Sequence, residues 1–177
     1  MNRFVTKLLL VTALAGWSLE GQDSSTFIDE ARQSYRDVKD KILKSAEWMP
    51  ESRYNFRPTS SSQTFGQLIA SIVQSQFEAC SAVAGNGFQG NGPTVESKAE
   101  LLLELKKSNS TCDSAYASLN SFSANQEVGI GNMRHSRLGL MFLNNAHDNE
   151  VYGHLAVYLR LNGILPPSDQ ARVIPID

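Results

Sequence analysis

The sequence predicts an all-α protein that folds as a four-helix bundle. Four segments carry apolar residues at spacings of three and four, which is the period of an amphipathic helix. Two of these segments begin with the Ser/Thr-x-x-Glu/Gln pattern of a capping box. No segment alternates apolar and polar residues for long enough to predict a strand. We therefore expect four antiparallel-packed helices and no sheet.

The first helix is predicted over residues 24–49, and the second begins at Thr64-Phe65-Gly66-Gln67. In this capping box the Thr64 hydroxyl accepts from one free amide, and Gln67 reaches back to another. The second helix should end in residues 85–93, because glycine disfavours a helix and Pro93 cannot continue one. The predicted inward positions are Ile28, Ala31, Tyr35, Val38, Ile42, Ala46 and Met49 in the first helix, and Leu68, Ile69, Ile72, Val73, Phe77 and Cys80 in the second.

The third helix begins at the second capping box, Ser97-Lys98-Ala99-Glu100. Residues 121–132 have no apolar period and predict a loop, after which a long fourth helix runs over residues 134–161. Gly163 caps that helix and Pro166-Pro167 ends it. The connections of about 12–14 residues exceed those of simple up-down bundles, so they allow at least one crossover. The predicted inward positions of the third helix are Leu101, Leu105, Cys112, Ala115, Tyr116 and Leu119.

Residues 1–21 have the layout of a secretory signal peptide. Arg3 and Lys7 precede an apolar run at residues 8–16, and small and polar residues follow it. The run is shorter than the roughly 20 residues that cross a bilayer, so a stable membrane span is not expected. Cleavage fits either Ala13-Leu14-Ala15 or Leu19-Glu20-Gly21, and the second site has the better position. We predict export to the periplasm or the medium and one mature domain, residues 22–177.

The charged residues argue against nucleic-acid binding. The chain has 16 basic and 18 acidic residues and a formal net charge of −2. A nucleic-acid surface would require Lys and Arg clustered on one face, and the sequence has no such block.

The two cysteines, Cys80 and Cys112, lie on the predicted second and third helices. An exported chain matures in an oxidising compartment, where an even pair usually forms a disulfide, so we expect these helices to be bridged neighbours. Two separate buried thiols are the alternative. A reactive thiol is disfavoured because no Lys or Arg stands beside either cysteine.

Three segments resemble the DinB-like superfamily of bundle proteins. Glu47-Trp48-Met49-Pro50 with Tyr54-Asn55-Phe56-Arg57-Pro58 resembles the exit from the first helix of that family. Thr64-Phe65-Gly66-Gln67-Leu68 resembles the entry to its second helix, and residues 147–167 resemble its fourth helix and the end of that helix. The resemblance implies a DinB-like bundle with an inter-helix pocket. Active relatives hold a divalent metal there through three histidines, one from the second helix and two from the fourth.

Carried over to this sequence, the three ligand positions fall at Ser71, His147 and Val151. Valine cannot ligate, and a neutral serine hydroxyl is a poor ligand for Zn²⁺ or Ni²⁺. Glu150 shares a helix face with His147, which leaves a rebuilt His/Glu site open. Gly153, inside the predicted helix, is expected to allow close approach of another helix.

These residues lead to two hypotheses. In the first, the chain is an exported, non-catalytic bundle without a metal cofactor, whose pocket binds a small molecule or serves an interaction in the cell envelope. In the second, it is a metal-dependent hydrolase or thiol transferase of the same superfamily that holds Zn, Ni or Mn with an altered ligand set. The sequence also leaves open whether copies of the chain associate.

Overall fold

Four long helices frame the structure, a computed structural model that describes residues 24–86 and 97–170. The predicted signal peptide and most of the glycine-rich run lie outside the described residues. The helices are α1 (Ser24–Trp48), α2 (Phe65–Val83), α3 (Lys98–Ser118), α4 (Arg137–Leu161) and the short α5 (Pro167–Gln170). A 3-10 turn covers Glu51–Arg53, and two strands, β1 (Glu127–Ile130) and β2 (Met133–Ser136), precede α4. The all-α class with a four-helix bundle is confirmed.

The predicted apolar stripes form the core. Every predicted inward position of α1, α2 and α3 is buried except Phe77, which is half-buried. Thr64 completes the predicted capping box, since its hydroxyl accepts from the Gln67 amide and its own amide donates to the Gln67 side chain. Ser97 caps α3 at the Glu100 amide, but its hydroxyl, and not its backbone amide, donates to the Glu100 carboxylate. The helices α2 and α3 therefore begin where the sequence signals predict.

The order of the helices around the bundle is α1, α4, α2, α3, so the consecutive helices α1 and α2 lie diagonally opposite each other. The Cys80–Cys112 disulfide and the Gln76–Ser108 hydrogen bond pair α2 and α3 residues about 32 positions apart, which makes these helices parallel. Asn145 reaches the Ala31 carbonyl and Lys41 lies over the Tyr152 ring, so α1 and α4 are parallel as well. The expectation of antiparallel packing is wrong at these two interfaces. An apolar stripe buries a face without setting the direction of the helix, and the long connections allow the chain to cross the bundle.

A β-hairpin replaces part of the predicted loop. β1 and β2 pair antiparallel from Glu127 with Ser136 to Ile130 with Met133. Gly131 begins the turn at φ +57, a conformation that residues with a Cβ rarely adopt. The expectation of no strand is therefore wrong here. Each strand has only four residues, too few for a clear period of two, and packing of Val128 and Ile130 on the core supports them instead.

The hairpin also moves the start of α4, which begins at Arg137 instead of residue 134. The Ser136 hydroxyl caps the helix by accepting from the Gly139 amide at 3.0 Å. At the other end the helix stops at Leu161, and Gly163 has φ +74, as the predicted C-terminal cap requires.

Cys80 and Cys112 form a disulfide that joins α2 and α3, as predicted. Their Cα atoms are 4.9 Å apart, within the usual range, and both residues are fully buried. A buried disulfide fits maturation in an oxidising compartment. Among the described helices, none has the length and apolar character that crossing a membrane requires.

Gly153 lies at an exposed position in the middle of α4, and a Cβ added there would meet no atom of the described residues within 4 Å. The expectation of close approach by another helix is therefore wrong for the described helices. Because alanine restricts the unfolded chain and favours the helix, Gly153→Ala should raise the free energy of unfolding by about 0.5–1 kcal/mol in urea titrations.

Gly139→Ala is the matched control on the same helix. Its Cβ would lie 2.9 Å from the Ser136 capping hydroxyl, so the same substitution should give no gain there. A loss of stability in Gly153→Ala would contradict an open surface at that position.

Candidate functional site

The three positions that the sequence analysis assigned as ligand positions lie on α2 and α4, two helices that pack against each other. These helices are antiparallel, since Gln76 bonds Asp148 at 3.0 Å and the Tyr158 hydroxyl donates to the Gln63 carbonyl at 2.7 Å. At a rise of about 1.5 Å per residue, this register puts Ser71 and Val151 at nearly the same level along the bundle. His147 lies one helical turn from Val151 on α4.

His147 is half-buried, and its Nε2 atom is closed to solvent with no hydrogen-bond partner among the described residues. A buried nitrogen without a partner costs free energy, so such atoms usually bind water or a ligand. His147 therefore offers one unmet hydrogen bond inside the bundle.

The other residues at these positions do not fit a metal ion. Val151 is buried and has no donor atom, while Ser71 is half-buried with a neutral hydroxyl. Glu150 is exposed, whereas the Nε2 atom of His147 is closed off, so the two do not converge on one interior point. A Zn²⁺ or Ni²⁺ site needs several nitrogen, sulfur or carboxylate donors around one centre. Within residues 24–86 and 97–170, no three His, Cys, Asp or Glu side chains are grouped in that way.

A buried polar layer crosses the bundle next to His147, and the sequence analysis missed it. The Ser108 hydroxyl donates to Gln76 Oε1 at 2.7 Å, and Gln76 Nε2 donates to Asp148 Oδ2 at 3.0 Å. Asn144 Nδ2 approaches the same oxygen at 3.4 Å. The first three residues are completely buried. The signal was present, because Gln76 falls between the inward residues Val73 and Cys80 at spacings of three and four.

Four side-chain oxygens in or near this layer are unpaired, and an oxygen of a carboxylate or an amide can only accept. Asp148 Oδ1 and Asn144 Oδ1 have no partner among the described residues, and neither do the side-chain oxygens of Asn109 and Asn145. A proton on Asp148 would supply a donor. Burial raises the pKa of Asp148 from 3.8 to about 7, although the hydrogen bonds from Gln76 and Asn144 partly oppose this rise. The bundle thus contains a carboxyl group that exchanges its proton near neutral pH.

Two tyrosines flank the layer on the side of α1 and α3. The Tyr35 and Tyr116 rings stack at a centroid distance of 4.2 Å and an angle of 11°. Their hydroxyls donate to the carbonyls of Asn109 and Met141, at 3.0 and 2.9 Å. Each hydroxyl is therefore held inside the bundle, and both rings are buried.

Within the described residues, these features define a four-helix bundle with parallel neighbours α1/α4 and α2/α3, one buried disulfide and a buried polar layer that joins α2, α3 and α4. Two solved structures are similar to it. A DinB-like protein of Bacillus subtilis, YjoA, has 19% identity and a TM-score of 0.63, and the match covers 76% of this chain and 92% of that one. A DinB-like protein of Bacillus cereus has 16% identity and a TM-score of 0.65, with 78% and 95% covered. The chain therefore has the DinB-like fold.

At these identities the likeness establishes the fold alone. No protein-family model matches the sequence, and no curated protein matches it either.

Proposed function

We propose that the protein is exported and non-catalytic, and that it binds a small polar molecule at the α2–α4 interface. The observation that carries the proposal is the buried Nε2 atom of His147, which has no partner among the described residues. A ligand that exchanges a hydrogen bond with this atom would remove the cost of leaving it unpaired.

The absence of catalysis is supported by the residues around His147. Val151 supplies an apolar wall where active relatives have a ligand, and Glu150 lies on the exposed side of α4. One imidazole can orient a ligand, but alone it cannot hold a metal ion tightly.

Export is supported by the layout of residues 1–21 and by the buried Cys80–Cys112 disulfide. Disulfides persist in the periplasm and outside the cell, and they are rare in the cytosol.

Affinity for a divalent metal ion tests the assignment of the three positions on which both this proposal and its alternative depend. The double variant Ser71→His/Val151→His should bind Zn²⁺ or Ni²⁺ at least about tenfold more tightly than the parent, because two imidazoles would join His147 in one inter-helix region. Calorimetric titration of the untagged proteins measures this. Adding His147→Ala to the double variant is the control, and it should abolish most of the gain. If the double variant gains no affinity, the assignment of the three positions is wrong.

The alternative is a metal-dependent enzyme with an altered ligand set, and the retention of His147 with an unpaired Nε2 atom favours it. Metal analysis of the untagged parent tests it directly. Stoichiometric Zn, Ni or Mn that is lost in His147→Ala would establish the alternative.

Ligand binding at the α2–α4 interface is tested with a thermal-shift screen of small polar compounds. A true ligand raises the Tm of the parent and leaves that of His147→Ala unchanged.

A further inference from the structure

A groove of about 450 Å³ opens along the seam between α1 and α3, away from the α2–α4 interface. This volume falls in the range of roughly 300–1,000 Å³ that is typical of small-molecule pockets. We call it the α1–α3 groove, and its lining residues are Arg32, Tyr35, Arg36, Lys39, Asp113, Tyr116 and Ala117.

Two buried aromatic rings lie beneath the groove. Tyr35 and Tyr116 are 1% and 2% exposed, and their hydroxyls are bonded to backbone carbonyls inside the bundle. The rings stack on each other, and Lys39 Nζ lies 5.3 Å from the centroid of the Tyr35 ring. The base of the groove is therefore held in one position, and the accessible contacts come from the side chains above the rings.

The rim of the groove is cationic. Arg32, Arg36 and Lys39 follow one another on α1 at spacings of four and three, so they share one face of the helix. Against these three cations the lining contains one acidic residue, Asp113, although the chain as a whole has a net charge of −2. A positive groove on an acidic protein concentrates anions at that place.

The three cationic side chains differ in how many of their hydrogen-bond donors already have a partner. Arg32 donates to the carbonyls of Tyr116 and Leu119 at 3.0 and 2.6 Å, which fixes it at the end of α3. Lys39 pairs with Asp113 at 2.7 Å. Arg36 has a hydrogen bond to Gln33 at 2.9 Å, and its exposed guanidinium retains further donors. Arg36 is therefore the group best placed to receive an anion, with Lys39 one turn away.

We propose that the α1–α3 groove binds a small organic anion, in which a carboxylate, sulfonate or phosphate meets Arg36 and Lys39 and the rest of the molecule occupies the groove. The planar guanidinium matches the geometry of such oxyanions and can bind them through two parallel hydrogen bonds. This site is independent of the proposed site at His147.

The test uses two dyes of similar shape and different charge. The purified protein should bind 1-anilinonaphthalene-8-sulfonate at a stoichiometry of one, and it should bind the uncharged N-phenyl-1-naphthylamine more weakly. Arg36→Gln/Lys39→Gln should lower the affinity for the anionic dye about five- to tenfold, because two partly exposed ion pairs are lost. Ala117→Trp should lower it as well, by filling the groove without changing the charge.

Lys44→Gln/Arg53→Gln is the matched control, since it removes the same charge at exposed positions outside the groove. Its affinity should equal that of the parent, and circular dichroism should show that all variants are folded. Unchanged binding in both groove variants would overturn the proposal. Equal affinity for the charged and the uncharged dye would overturn it too, because the rim would then contribute nothing.

Discussion

Asp148→Asn is expected to stabilise the protein at pH 8 by up to about 4 kcal/mol and to remove a large part of its pH dependence. The carboxyl group of Asp148 has a pKa of about 7 in the fold, against 3.8 for an exposed aspartate. Because the folded pKa is raised, the unfolded chain releases the proton first as pH rises. Stability is therefore fully present below about pH 4, falls between pH 4 and 7, and is lowest above pH 7. A shift of about three units corresponds to about 4 kcal/mol.

The amide of the variant stays neutral at all these pH values. It can still accept from Gln76, and its NH₂ group supplies the donor that the unpaired oxygens around Asp148 lack. Tyr35 on α1 and Tyr116 on α3 interact electrostatically with Asp148, and burial raises the pKa of both, so they remain neutral in this range.

Urea titrations from pH 4 to pH 8 measure the effect as a difference between variant and parent, which cancels the contributions of other groups. Asp40→Asn, at an exposed position on α1, is the matched control and should leave the pH profile unchanged. Parallel profiles for Asp148→Asn and the parent would contradict the raised pKa.

Reduction of the Cys80–Cys112 disulfide is expected to lower the free energy of unfolding by about 3–4 kcal/mol. The bridge closes a loop over a sequence separation of 32, and on the chain-entropy model a loop of this length removes that much entropy from the unfolded state. Both sulfur atoms are fully buried beside the polar layer, where Cys112 Sγ lies 3.6 Å from the Gln76 carbonyl oxygen. Denaturation with and without dithiothreitol measures the loss without substituting any residue.

Cys80→Ala/Cys112→Ala is the control for other effects of the reductant, because its stability should not respond to dithiothreitol. Mass spectrometry of the non-reduced protein should find no free thiol. Two free thiols, or equal stability of the oxidised and reduced parent, would sink the prediction.

The sequence predicted the helices well because local signals determine them. The Thr64 and Ser97 caps, the three-four apolar spacing and Gly163 act within one or two turns of the chain, and the structure agrees with each. The hairpin had no such signal, since strands of four half-exposed residues form only where the core offers Val128 and Ile130 a surface. Local sequence also said nothing about helix direction, which depends on how the whole bundle closes.

The candidate site also has features that the sequence determines and features that only the tertiary structure determines. The sequence by itself determined that the positions assigned as ligand positions hold a serine and a valine, Ser71 and Val151, which cannot bind a metal ion as histidines do. No sequence signal singled out Asp148, the neighbour of His147 on α4. Only the tertiary structure decided its character, because Gln76 reaches it from α2, Ser108 on α3 donates to Gln76, and the packed bundle excludes water from the carboxyl group. Burial and pKa belong to the environment that distant segments create, and no local pattern contains them.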